Sequence, residues 1–236
     1  NTAQSAGGGT IAASSTYHLK TTDCEFSYSK SFSTGGVFYI TDITQTYILN
    51  SKFYKNFAKL EGGALALMNV MDLYIKKVTF NDHESDEQGG ALYMSDVNQT
   101  RIVFCHFKNS SATRDGGSLF FFGTKSAFVI LLKGCNFSKN LAFQQAGSIK
   151  VVQVSALILT DIEFVECVSK YREGGSMLIE NIKYLEMKNV KYIQGSAQIS
   201  RGGALYLSNL KLMVMENCIF FSNLAGQDGG GLLVAD

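Results

Sequence analysis

The sequence predicts an all-β fold, a right-handed parallel β-helix solenoid of about eight three-strand coils of 27–28 residues each. Three observations predict it: a recurring glycine pair, an aromatic residue at fixed phase behind it, and period-two alternation between the two. The second glycines stand at Gly9, Gly36, Gly63, Gly90, Gly117, Gly147, Gly175, Gly203 and Gly230, so the steps are 27, 27, 27, 27, 30, 28, 28 and 27. Self-similarity at a fixed period of this size marks stacked units that bury their apolar faces on one another.

Each element follows from its phase. A small residue usually comes next (Ala64, Ala91, Ser118, Ser148, Ser176, Ala204), and a large apolar one always follows (Phe38, Leu65, Leu92, Leu119, Ile149, Met177, Leu205). That is the first strand. Leu73/Ile75, Leu157/Leu159, Leu185/Met187 and Met213/Met215 alternate in the middle of the coil, which places the second strand. An aromatic then recurs as Phe26, Phe53, Phe80, Phe107, Phe137, Phe164, Tyr192 and Phe220, on the third strand. Two residues before it stand Cys24, Ser51, Val78, Cys105, Cys135, Ile162, Val190 and Cys218, on the same inward face. In the long coil the aromatic is displaced as well, so Gly123-Thr124-Lys125 reads as the insertion.

Composition agrees with a single repetitive domain over residues 1–236. The chain has 23 glycines and no proline, as expected where nearly every strand is central to a ladder and every N–H must donate. No run of apolar residues is long enough to span a membrane as a helix. A net charge of +1 without a basic stripe argues against a nucleic-acid partner. The chain opens on a glycine origin and stops partway through a coil at Leu232–Asp236. This predicts an excerpt of a longer solenoid whose open β edges pair with other chains or with further coils.

The motifs resemble those of a known family. Gly62-Gly63-Ala64-Leu65, Gly89-Gly90-Ala91-Leu92 and Gly202-Gly203-Ala204-Leu205 are similar to the GGA[ILV] half of the polymorphic membrane protein repeat. Phe53-x-x-Asn56, Phe137-x-x-Asn140 and Phe220-x-x-Asn223 are similar to its FxxN half. Ser29, Cys167 and Gly195 replace the Asn in other coils. The resemblance implies a pectin-lyase-like β-helix exposed at a cell surface, and it supplies no catalytic residue.

Candidate sites come from the same phase. Outward positions of the first strand carry Tyr93, Phe120, Phe122 and Val152 in consecutive coils, an expected apolar patch for a protein partner or a sugar, unless a loop folds over it. The column before the glycine pairs holds Glu61, Asp115 and Glu173, which reads either as a carboxylate groove or as a solvated polar ladder; glutamine and arginine spacers favour the ladder. Cys105 and Cys135 fall in adjacent coils and are the candidate disulfide, against a reading as small buried hydrophobes. Asn98, Asn109 and Asn136 begin glycosylation acceptor patterns. No metal-ligand spacing, P-loop, dinucleotide fingerprint or catalytic constellation is present, so no cofactor and no enzymatic activity are expected. The expected role is a structural or adhesive rod outside the cell, in a filament or coat; a carbohydrate-binding or carbohydrate-degrading β-helix is the alternative.

Overall fold

A computed structural model describes residues 2–3, 7–124 and 128–235 of the chain. They form a parallel β-solenoid of about eight coils without a helix. The earlier coils repeat one strand pattern, Leu65–Met68, Asp72–Lys76, Thr79–Asn81 and Glu84–Ser85 in one coil, then Leu92–Ser95, Gln99–Val103, His106–Lys108 and Ser111–Ala112 in the next. In the later coils strands run together, as in Ala156–Val165, Met177–Ile193 and Leu205–Glu216. Pairing is parallel and in register, Leu65 against Leu92 and Phe80 against Phe107. At ~4.8 Å per coil the stack is a rod of roughly 40 Å.

The fourth strand corrects the expected three. It is two residues long, so it carries no alternation to read, but its second position is always small: Ser31, Ala58, Ser85, Ala112, Ala142, Ser169 and Ala197 are all buried. It faces the glycine pair across the narrow corner of the coil. A Cβ on Gly63 would lie 2.1 Å from the Gly90 carbonyl oxygen and 2.5 Å from that of Glu84, so the second glycine is required by close backbone approach. The first glycine is required by its φ, which is +67° at Gly62. Ala146 holds the same conformation at φ +60° without that freedom.

The other corners turn on a single left-handed residue. Asp42, Asn69 and Asp96 follow the first strand, Asn50 and Asn217 the second, and Asp82 and Asn109 the third. Asp161, Asn181, Asn189 and Asn209 take the same conformation within the continuous strands Ala156–Val165, Met177–Ile193 and Leu205–Glu216. Short amide and carboxylate side chains tolerate this region best. They also bond from coil to coil, as in Asn69 Nδ2 to Asp42 Oδ1 (3.2 Å) and Asn189 Nδ2 to Asp161 Oδ1 (2.8 Å). The backbone ladder continues through the corners, with Asn69 N–H donating to the Ser95 carbonyl.

The interior is one continuous core. Eight aromatic rings from Phe26 to Phe220 stack along the axis, with neighbouring centroids 4.8–5.1 Å apart and planes within 21°. Tyr192 is fully buried among them and points its hydroxyl at the Met187 and Met177 sulfurs; burial pushes that hydroxyl's pKa up. The extra residues of the long coil lie between Phe122 and Val129, since Phe122 pairs with Val152 and Val129 with Gln99. The insertion therefore joins the first and second strands, as expected; Lys125 itself lies outside the described residues.

Candidate functional site

The first-strand patch is not the open surface the alternation suggests. Tyr93 and Phe120 stack with centroids 5.6 Å apart, but Phe120 is only 5% exposed. Tyr93, Phe122 and Val152 are half-buried. Alternation determines which side of a strand a residue takes, not what lies beyond it. At Tyr39, which stands in the same column as Tyr93 and Phe120, the segment entering the glycine pair of the preceding coil lies against the ring: an added Cβ on Gly7 would fall against it.

Beside Phe120 is a charged cluster that the sequence reading missed. Lys150 pairs in register with Phe120 and Leu178, a lysine in an otherwise aromatic and aliphatic run. Its amine lies 3.2 Å from Asp115 Oδ2 and bonds Gln145 Oε1, and both members of the ion pair keep only 9% of their side-chain surface. Asp115 Oδ1 also accepts from the Gln145 backbone N–H at 3.1 Å, and Gln145 Nε2 donates to Glu173 Oε2 at 2.9 Å. The solvated ladder is thus corrected at Asp115, which is buried and neutralised. A lysine inside an apolar outward column was the available signal.

The acidic positions do not behave alike. Burial pushes the Glu61 carboxyl above the usual range, and the neighbouring Glu87 adds to it. Burial acts on Glu173 too, but hydrogen bonds from Gln145, its own backbone and Ser200 outweigh it and hold that carboxyl low. Glu61 and Glu173 stand four coils apart, and the charge between them is closed by Lys150. The cluster fastens the returning segment to the strand; a buried pair of this kind costs several kcal/mol to break, roughly 3–5.

A second polar column, buried except at Asn223, lies three residues after the aromatic stack. Asn56, Asn140 and Asn223 each accept from the backbone N–H one coil earlier (Ser29, Ser110 and Gly195, 2.8–3.0 Å). Each also donates to the carbonyl of that coil's aromatic (Phe26, Phe107 and Tyr192, 3.0–3.1 Å). The FxxN pattern therefore works as a coil-to-coil clip. His83 takes the same place: its Nδ1 accepts from Asn56 N–H at 3.1 Å, and burial lowers its pKa to about 3. Its Nε2 is buried without a partner.

Cys105 and Cys135 are neighbouring free thiols rather than a bridge, with Cys105 N–H 3.4 Å from Cys135 Sγ. Burial and the adjoining thiol hold Cys105 well above the ordinary range. Cys167, in the clip column, is pushed up to about 11 by burial. Cys24 and Cys218, in the outermost coils, are exposed and half-buried. Asn109 and Asn136 are exposed, whereas Asn98 is half-buried in a groove it shares with Met71, Thr124 and Phe128. Among the described residues no group of three or more His, Cys, Asp or Glu is placed to hold a metal ion.

The outer face of the second strand carries a feature the sequence reading passed over. In register, coil on coil, stand Lys20, Tyr47, Tyr74 and Arg101. His18 lies beside Tyr47 at 5.1 Å between ring centroids, and Tyr74 meets Tyr47 at 6.3 Å and 83°. The Arg101 guanidinium sits 5.7 Å from the Tyr74 centroid. The glycine phase, counted eleven residues on, shows this column in the sequence. No family model, no curated protein and no solved structure matches the chain.

Proposed function

We propose that this chain is part of an extracellular or cell-surface rod, structural or adhesive, assembled in a filament or coat. The observation that carries the proposal is the unbroken ladder. Coil after coil repeats the same interior of stacked rings, while the outward positions change residue from coil to coil. Such an object holds side chains at fixed spacing along a stiff axis. Two exposed acceptor sequons, Asn109 and Asn136, suit a chain that passes through a secretory route. The GGA[ILV] and FxxN motifs resemble those of surface proteins and support the same reading. In this reading the rod's partners are other protein chains, and no catalysis is involved.

Antibody labelling of intact cells that make the protein, with and without permeabilisation, tests the location. Labelling of intact cells, lost after brief protease treatment from outside, is expected. Signal that emerges only after permeabilisation overturns the proposal.

A further inference from the structure

We propose that the outer face of the second strand, over the first four coils, binds an anionic polysaccharide. The inference goes beyond the rod reading and does not depend on it, because it is tested on the purified chain.

The cleft on this face, of about 350 Å³, is lined by His18, Lys20, Tyr47, Leu49 and Tyr74. Its core is the column Lys20–Tyr47–Tyr74–Arg101: a cation at each end and two phenol rings between, one residue per coil. The near-perpendicular tyrosines form an edge-to-face notch that offers both a ring face and a ring edge. The apolar C–H face of a pyranose fits against such a ring, while carboxylate or sulfate substituents reach the flanking ammonium and guanidinium groups. Lys76 adds a third cation on the same strand face, two residues from Tyr74. Asp72 is the one carboxylate at the outward positions of these four strands. A linear polymer lying along the axis meets a new side chain with each coil rise of ~4.8 Å, a spacing set by the ladder.

Two other ligand classes fit less well. A peptide captured by a sheet uses free backbone groups at an edge. Here the strands that carry the two tyrosines, Gln45–Leu49 and Asp72–Lys76, are paired on both sides, so neither offers an edge. Single-stranded nucleic acid uses successive ring faces in a positive groove; Tyr47 and Tyr74 are not parallel, and the chain carries a net charge of +1. Beyond Arg101 the same column becomes Leu131 and Ile158, so the recognition surface ends where the interior does not change.

The test is titration calorimetry of the purified chain at low salt against five probes: hyaluronate fragments, heparin fragments, neutral dextran, polyglutamate and oligothymidylate. Saturable binding of hyaluronate or heparin is expected, with dextran, polyglutamate and oligothymidylate weaker. The two anionic glycans separate carboxylate from sulfate recognition. The double variant Tyr47→Ala, Tyr74→Ala should weaken binding about tenfold or more, and Arg101→Gln should weaken it and flatten its salt dependence. Ile158→Ser, on the same face but beyond the column, should leave it unchanged; circular dichroism confirms that each variant keeps the fold. The proposal is overturned if neither anionic glycan binds, if polyglutamate or oligothymidylate binds as tightly, or if the tyrosine variant binds like the wild type.

Discussion

Two columns run side by side down the inside of this solenoid, and they obey different rules. The aromatic column is uniform, Phe in every coil but one and Tyr in that one, because each ring packs on the ring above and the ring below. The clip column, three residues later, changes freely: Ser29, Asn56, His83, Ser110, Asn140, Cys167, Gly195 and Asn223. The reason is the direction of the bonds. An Asn serves the N–H and carbonyl of the coil before it, so a Ser or Gly there loses nothing when the next coil supplies the clip. Dispersion needs every member of a stack, whereas hydrogen bonding needs a partner in one neighbour.

This difference can be broken directly with a pair of variants. Phe107→Ala removes a fully buried ring between two stacked neighbours and should cost about 3–5 kcal/mol. Asn140→Ala leaves the Ser110 N–H and the Phe107 carbonyl without their partner and should cost less, about 2–3 kcal/mol. Urea denaturation midpoints measure both. Equal costs would mean that the two columns carry the stack alike.

The His83 clip sharpens the comparison, because it titrates on the acid side of neutrality. Its folded pKa of about 3 lies below the ordinary value near 6.5, so the unfolded chain binds more protons between those limits. Its contribution is complete above pH 6.5 and declines as the pH falls toward 3. The loss should reach roughly 2–3 kcal/mol by pH 4.5. Against a His83→Asn variant, which keeps a clip without the proton, the wild type should lose that much more stability between pH 7 and pH 4.5. Parallel pH profiles for the two proteins would remove His83 from the account.

The smallest expected effect tests the corner rather than a column. Ala146→Gly relieves a left-handed alanine at a place where the other pairs have glycine, and it should stabilise by up to about 1 kcal/mol. A destabilised variant would show that the alanine methyl, fully buried, contributes more by packing than its backbone costs.

The expected burial of particular residues shows how far the sequence could be read. The inward columns were legible because their phase recurs in every coil, and Phe53, Phe80 and Phe107 stand where the count places them. The fourth strand was not, because two residues show no alternation. Tyr93 and Phe120 were placed on the correct side of their strand, yet Phe120 is buried with the Lys150 amine over its ring and Tyr93 is half-buried. Lys150 and Asp115 come together across 35 positions, a distance over which no short motif operates. Lys20, Tyr47, Tyr74 and Arg101 were countable from the glycine phase, but nothing local marks them as neighbours until the coils are stacked.

By itself, then, the sequence determined the period, the parallel stacking and the place of the long coil, since a repeated residue pattern is sufficient to define a repeated conformation. The tertiary structure decided what lies outside the coil: which outward residues a returning segment closes over, and which stay open as a column of cations and rings. The physical reason is that inward positions meet their own equivalents one coil away, at a spacing the ladder dictates. Outward positions meet whatever the chain or the solvent brings, and the period carries no information about that.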